Sequence, residues 1–328
     1  MKKVLLEDLR QSCIAAFMKE GVDQQSATGL TTMLIDNELD GYSSHGVMRV
    51  PDYIQNIKQG VVDNNAKPLV RSVNQFSTEI TGNKSLNIKV MNAAETVVQG
   101  IKETPLHFIT IKNAHHLGRL ATLAKIMTGH GFVCFGFSNF NGLSQKVAPI
   151  GSAQGLIATN PIVYGIPSND GDVILDMTTS VTSEGAVRQR HIQGHEVPEG
   201  WLMDKDGKST IDASLFCRAP IEAMLMPLGG EVAGHKGFGL ALIAEILSSI
   251  RPGTGNIAKP HDTGGNSAFF FIFKPEILGI SLQELTQGME SILDHVKAGY
   301  KDLRIPGRKQ KRDENFIYLP ETVWEKLS

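Results

Sequence analysis

The stretch from His107 to Phe137, HFITIKNAHHLGRLATLAKIMTGHGFVCFGF, decides the fold class. Its first residues, His107 to Ile111, form an apolar, β-branched run of strand length. Leu120 to Thr128 then repeats apolar residues at helical spacing, and Phe132 to Phe137 returns to a strand pattern. Strands alternating with helices predict an α/β sheet.

Upstream, a helix is predicted near Leu86 to Ile101, after two paired strands at Pro68 to Val73 and Phe76 to Ile80. The beginning of the chain is helical instead. Leu5 to Glu20 buries Leu9, Cys13, Ala16 and Phe17 and stops at Gly21. Asp23 caps a second helix with a stripe of Leu30, Met33, Leu34 and Leu39, and Gly41 ends it. A polar loop, Tyr42-Ser43-Ser44-His45-Gly46, leads to a short helix carrying Tyr53, Ile54 and Ile57. Downstream, Pro149, Gly151, Gly155, Pro161, Gly165 and Pro167 predict loops and short strands, with a brief strand from Val173 to Leu175 ending at Asp176. A long helix is predicted after Gly234-His235-Lys236-Gly237, then a buried strand from Ala268 to Phe273 and an amphipathic helix from Leu282 to Val296. No repeat or low-complexity segment interrupts the pattern.

The 328 residues suffice for two compact domains, or for one large domain with a smaller one packed on it. A net charge of -2 gives no pull toward nucleic acid or an anionic membrane surface. The basic cluster Arg308-Lys309-Gln310-Lys311-Arg312 is short and is followed by Asp313 and Glu314, so it reads as a solvated tail or a local phosphate contact. Three cysteines without C-x-x-C spacing argue against a disulfide framework or structural zinc. Glu7 and Asp8 break the apolar start, so no secretory signal is expected, and no apolar run approaches transmembrane length. The cytoplasm is the expected compartment.

Four segments can carry chemistry. In Ser44-His45-Gly46-Val47-Met48-Arg49, His45 and Arg49 would share a face if a helix starts there. Reduction of a 2-oxo acid needs such a pair, because histidine titrates near neutrality and arginine offers a two-pronged donor for a carboxylate. A helix cap with a surface arginine is the competing reading. Asn113-Ala114-His115-His116-Leu117-Gly118-Arg119 lies where a strand gives way to a helix, a place where ligands gather in α/β sheets. Neighbouring histidines without a third ligand point to substrate or cofactor contact, or to a structural role, rather than to metal. Thr159-Asn160-Pro161 is either a plain turn or a turn facing a ligand. Gly234-His235-Lys236-Gly237 opens a helix whose unpaired amides suit a phosphate, with helix packing as the alternative. Gly253-Thr254-Gly255 mimics a dinucleotide fingerprint but follows a helix, so it reads as a loop.

Taken in order, these segments resemble the malate/L-lactate dehydrogenase family of the non-Rossmann type. The family also holds sulfolactate, ureidoglycolate and diketogulonate dehydrogenases and piperideine-2-carboxylate reductases. The resemblance rests on Ser44-His45-Gly46-Val47 with Arg49-Val50-Pro51, Asn113 with His116 and Gly118, Thr159-Asn160-Pro161, and Asp176-Met177-Thr178-Thr179-Ser180. Pro198-Glu199-Gly200-Trp201, Asp204 with Gly207, His235-Lys236-Gly237 and Pro306-Gly307 continue the series. The His116-Leu117-Gly118-Arg119 and His235-Lys236-Gly237-Phe238 forms look most like the hydroxycarboxylate dehydrogenase branch.

The resemblance implies a mixed-sheet cofactor domain, residues 71–281, intertwined with a helical substrate and dimer domain made from residues 1–70 and 282–328. It implies interconversion of a small 2-hydroxy acid and its 2-oxo acid with NAD or NADP, in a homodimer that needs no metal, nucleic acid or membrane. His45 would be the proton donor in reduction, with Ser44 beside it, and Arg49 would hold the substrate carboxylate. His116 and Thr159 would line the pocket, while Gly118, Arg119, Asp176, Met177, Thr178, His235, Lys236, Gly307, Arg308 and Lys309 would meet the cofactor, with His116 touching it too. Three features depart from the family pattern: Gly185-Ala186 for Gly-Lys, Pro306-Gly307-Arg308 for Pro-Gly-Glu, and a slightly long Ser138 to Val147. A cyclic imine reductase, a cofactor-free lyase or hydrolase, and a non-catalytic binder are the alternative readings.

Overall fold

The computed structural model describes residues 2–142, 145–251, 253–260, 265–300, 302–308 and 315–327. The chain opens with strand β1 (Lys2–Leu5), helices α1 (Leu6–Lys19) and α2 (Gln24–Leu39), two 3-10 turns and helix α3 (Val50–Lys58). Strands β2 (Leu69–Asn74) and β3 (Ser77–Thr81), helix α4 (Asn87–Gly100), strand β4 (Leu106–Ala114), helix α5 (Leu120–Gly129) and strand β5 (Val133–Phe140) follow. Next come β6 (Ile162–Ile166), β7 (Val173–Met177), α6 (Glu184–Ile192), β8 (Leu202–Asp204), β9 (Ser209–Thr210), α7 (Ser214–Cys217) and β10 (Ala223–Leu225). Helix α8 (Gly230–Ser248), β11 (Asn266–Phe273), α9 (Leu282–Gly299), β12 (Phe316–Leu319) and α10 (Glu321–Trp324) complete the order.

Local chemistry explains several boundaries. Asp23 caps α2 by accepting the Ser26 N–H at 2.9 Å, and Ser281 with Glu284 forms a reciprocal capping box on α9. Helix α8 begins earlier than the sequence suggests. Gly229, at φ 96°, turns the chain into Gly230, and non-helical torsions at Ala233 kink the helix just before His235 and Lys236.

The main sheet has seven strands in the order β2-β3-β4-β11-β5-β6-β7. Only β3 and β4 pair in parallel, with α4 as their crossover, so the sheet is mixed. The strand–helix–strand unit read from the sequence is present as β4, α5 and β5, but its two strands are not neighbours. β11 enters between them, antiparallel to both. Its Ala268, Phe270 and Ile272 join Ile109, Ile111, Leu123, Met127 and Cys134 in the core under α4 and α5. A second core unites both chain ends: Leu9, Phe17, Leu34 and Tyr53 pack with Ile317, Leu319 and Leu327, and β1 pairs with β12. A third core, around Val187, Leu202, Phe216 and Leu225, encloses the small sheet β10-β8-β9. The sequence reading contained neither β1 with β12 nor this small sheet.

Gly136 marks the tightest point between strands. A Cβ there would lie 2.3 Å from the Phe270 ring and 2.6 Å from Val163, both buried. Gly136→Ala is therefore expected to destabilise the fold by about 1–3 kcal/mol through overpacking, read as a lower urea midpoint at unchanged m.

Candidate active site

The two 3-10 turns, Ser43–His45 and Val47–Arg49, replace the helix expected between His45 and Arg49. Glu38, on the buried side of α2, dictates this shape. Its carboxylate accepts the Ser43 hydroxyl and, at 3.2 Å, the Val47 N–H. Gly46 passes so close that a Cβ would overlap Glu38 Oε2. Asn37 beside it donates from Nδ2 to the His45 carbonyl at 3.0 Å. The end of α2 thus holds both ends of the turn.

From this loop the His45 ring stacks on His116, with centroids 5.6 Å apart and planes 20° apart. Ser44 Oγ lies 3.1 Å from His45 Nδ1. Helix α3 supplies the other side. Tyr53 Oη is 2.9 Å from His116 Nδ1, and Asn56 Nδ2 is 2.9 Å from His115 Nε2. The two adjacent histidines therefore both face α3. No group of three or more His, Cys, Asp or Glu side chains among the described residues is arranged to hold a metal ion.

Burial, reinforced by Arg49 and then Arg119, lowers His45 from 6.5 to about 4. Burial and Arg49 lower His115 to about 4 and push His116 well below its ordinary range. The near-neutral titration expected of His45 is displaced because a second positive charge beside Arg49 is unfavourable in a dry site. Arg49 itself pairs with Asp52 at 2.9 Å through Nη1, while its buried Nε has no hydrogen-bond partner among the described residues. A groove of about 780 Å³, lined by Ser44, Arg49, Asp52, Arg188 and Lys326, leads to it. Gly185 lies against Ser44 on one wall, where a Cβ would meet the Ser44 Cβ at 2.7 Å.

Arg119 joins this group to the end of β7. It donates to Asn37 at 3.2 Å and Asp40 at 3.1 Å, lies 4.0 Å from Asp176, and covers the Tyr42 ring at 3.6 Å. Asp176 accepts the Ala121 N–H at 2.8 Å at the start of α5, and burial raises its pKa. Gly118, at φ 75°, makes the turn into that helix. The Thr159 carbonyl accepts the N–H and hydroxyl of Thr179, each at 3.0 Å, tying its turn to the segment that starts at Thr178, directly after Met177 ends β7. Asn160, next to Thr159, donates at 2.9 Å to Glu245, which also receives Asn139 and the Ile257 N–H. Gly307 and Arg308 line a cleft with Tyr42, Arg119 and Arg304, and Arg308 pairs with Glu290 through two nitrogens.

His45, Ser44, Arg49, His116 and Arg119 are therefore one cluster, with Asp176 at its edge. His235 and Lys236 are exposed beyond the α8 kink, and no hydrogen bond or ion pair among the described residues joins them to it. Lys309 and most of the basic cluster lie outside the described residues. Tyr53, Asn87, Asn37 and Glu38 belong to the cluster but were not among the candidate site residues read from the sequence, where Tyr53 figured only as part of the helix after the loop. A usable signal existed for Asn37 and Glu38, two polar residues on the buried side of α2.

A guanidinium whose buried donor is unpaired among the described residues, beside two stacked imidazoles, has the chemistry to bind a carboxylate and exchange a proton. The chain belongs to the malate/L-lactate dehydrogenase family, which it matches over residues 4–328. Malate dehydrogenase of Pyrococcus horikoshii is 28% identical over 297 residues, 88% of this chain and 80% of that one. The (2R)-3-sulfolactate dehydrogenase (NADP(+)) of Chromohalobacter salexigens is 26% identical over 344 residues, 99% and 97% of the two chains. The solved sulfolactate dehydrogenase of Methanocaldococcus jannaschii is similar at a TM-score of 0.80 and 25% identity, covering 99% of this chain and 95% of that one. The protein is thus an NAD- or NADP-dependent oxidoreductase of hydroxy acids, which sets aside the lyase, hydrolase and binder readings.

The displaced histidines make stability depend on acid. Between the ordinary value of 6.5 and about 4, the unfolded chain binds protons at His45 and His115 that the folded chain refuses. Stability is full above that window and falls as pH drops through it, by up to about 3 kcal/mol per group. Urea midpoints at about pH 7 and about pH 5 should show the fall, and His115→Gln should make it shallower.

Proposed function

We propose that this protein interconverts a small 2-hydroxy acid and its 2-oxo acid, with Arg49 binding the carboxylate and His45 exchanging the proton. The unpartnered, buried Nε of Arg49 beside the His45–His116 stack is the observation that carries this reading. A substrate carboxylate would satisfy Nε and displace Asp52 from the guanidinium. It would also offset the charge that lowers His45, so the imidazole becomes a better base when substrate is bound. In oxidation, neutral His45 takes the hydroxyl proton; in reduction it returns that proton to the oxygen at C2. Ser44 fixes the ring through Nδ1, which leaves Nε2 for the substrate. His116 and Thr159 would border the substrate.

The residues around β7 fit a nicotinamide dinucleotide. The cleft of about 450 Å³ carries Arg119, Lys125, Arg304 and Arg308 for anionic phosphates, and Ile174 of β7 lines it. Gly307 runs against this strand so closely that a Cβ would meet the Ile174 nitrogen at 2.6 Å. Gly118, Arg119, Asp176, Met177, Thr178, Gly307 and Arg308 would hold the cofactor, with His235 and Lys236 as outer contacts. The bound nicotinamide supplies or accepts the hydride at C2.

We further assign residues 1–70 with 282–328 to the substrate and dimer part and residues 71–281 to the cofactor part. The separate core joining the two chain ends supports that division. A cytoplasmic homodimer also fits the exposed apolar stripe that α8 adds from the cofactor part, where Leu240, Ile243 and Ile246 are 38%, 49% and 52% accessible and Ile250, just past the helix end, is 58% accessible. No helix among the described residues is long and apolar enough to cross a membrane.

His45→Ala should abolish turnover in a panel of 2-oxo and 2-hydroxy acids while NADH and NADPH fluorescence titrations stay unchanged; retained turnover removes His45 from the chemistry. Arg49→Ala should lower kcat/KM for carboxylate substrates by about 2–5 kcal/mol of transition-state binding, and an unchanged kcat/KM removes Arg49. Light scattering should give twice the 35.7 kDa chain mass, and Ile243→Glu should shift it to the chain mass. A parent protein of single-chain mass refutes the dimer.

A further inference from the structure

Behind His116 lies a chain of buried hydrogen bonds whose direction is determined. Asn87, at the start of α4, is 1% accessible. Its Oδ1 accepts the Ile88 N–H at 2.9 Å, which fixes the orientation of the amide. Nδ2, which can only donate, therefore faces Tyr53 Oη at 3.3 Å and Met33 Sδ at 3.9 Å. Tyr53 is 2% accessible, and its oxygen lies 2.9 Å from His116 Nδ1. Since the phenol oxygen accepts from Asn87, its single proton has one acceptor within reach among the described residues, the lone pair of His116 Nδ1. The opposite arrangement, with Nδ1 donating, would leave the phenol proton buried without a partner. A doubly protonated His116 is opposed by Arg49 and by burial.

We propose that Tyr53 and Asn87 are positioning residues that lock His116 in the Nε2–H tautomer, making it a fixed donor to the C2 oxygen of the substrate. The donor role rests on the dehydrogenase reading above; the tautomer does not. Nδ1 is engaged by α3, so Nε2 is the ring edge left for a ligand, on the imidazole that stacks with His45. A fixed N–H at this place stabilises negative charge on the C2 oxygen in both reaction directions, and the ring needs no reorientation as that charge grows. His45 exchanges the proton, while His116 keeps its own. Two neighbouring histidines thus differ in function because different atoms hold their Nδ1 positions, Ser44 Oγ for one and Tyr53 Oη for the other.

The test inverts the chain without changing its shape. In Asn87→Asp, one carboxylate oxygen still accepts the Ile88 N–H, but the other can only accept. The Tyr53 proton then turns toward it, the phenol oxygen accepts from His116, and the proton moves to Nδ1. Nitrogen-15 spectra of histidine-labelled protein, with His116 assigned through His116→Gln, should show Nε2–H in the parent and Nδ1–H in Asn87→Asp. Spectra taken between about pH 6 and about pH 9 follow the switch as the introduced carboxyl ionises. The kcat of Asn87→Asp should fall about 100-fold with KM and NAD(P)H affinity within about twofold of the parent. Asn87→Leu removes the amide but leaves the phenol proton with no acceptor except His116, so it should keep the parent tautomer and most of kcat. A role in packing alone predicts the reverse, with the isosteric aspartate harmless and leucine harmful.

A parent spectrum with Nδ1–H, or an Asn87→Asp protein that retains Nε2–H after its carboxyl ionises, overturns the proposal. If the switched tautomer leaves kcat unchanged, the donor role is overturned as well. If Asn87→Asp does not fold, Tyr53→Phe replaces it and should lose the sharp Nε2–H signal; a parent-like spectrum from that variant overturns the relay. The spectra require no turnover, so they separate a failure of the relay from a failure of the dehydrogenase reading.

Discussion

Desolvation of three imidazoles beside the Arg49 guanidinium is the constraint on which the site depends. Burial and Arg49 lower the pKa of His45, His115 and His116, which are each half-buried, and so favour their neutral forms. The result is a pocket with one strong positive charge, half answered by Asp52, and neutral rings whose lone pairs and N–H groups are assigned by their neighbours. On the proposed reading, such a pocket would draw an anion and become a better base once the anion had arrived, because both effects would act through Arg49.

The scaffold serves this arrangement by converging on a few buried polar anchors. Glu38 and Asn37 hold the loop of His45 from α2, and Asn87 and Tyr53 hold His116 from α4 and α3. Glu245 collects Asn139 of β5, Asn160 and the Ile257 amide, and so sets the turn that carries Thr159. Each anchor is a polar group inside an apolar setting, where leaving it unpaired would be costly. That cost makes the geometry specific: the loop has no comparably satisfied alternative position. The insertion of β11 between β4 and β5 gives the sheet its rigidity, since Phe270 and Ile272 pack beneath α4 and α5 while the strand bonds both neighbours.

Much of this was readable in residue order. The alternation of strand and helix between His107 and Phe137, the cap at Asp23, and the helices of the first part appear where pattern and capping chemistry put them. These features depend on neighbours within a few residues, so a linear reading captures them. The kink at Ala233 was not legible, because it follows from how Gly229 fits against Ala233 and Gly234 against Pro227 and Ile150. Nor was the pairing of β1 with β12, since a short charged strand has no strand character until its partner arrives from the other end of the chain.

By itself the sequence pointed, through its resemblance to a known family, to an α/β oxidoreductase and to His45, Arg49 and His116 as candidate chemical residues, because residue type and order survive in a linear text. Only the tertiary structure decided which atoms those side chains present. The 3-10 geometry at His45 depends on Asn37 and Glu38 across a turn, the lowering of its pKa on burial with Arg49 and Arg119, and the capture of His116 Nδ1 on Tyr53 from a distant helix. Protonation and tautomer are properties of an enclosed volume and its dielectric, and a chain has no enclosed volume until it folds.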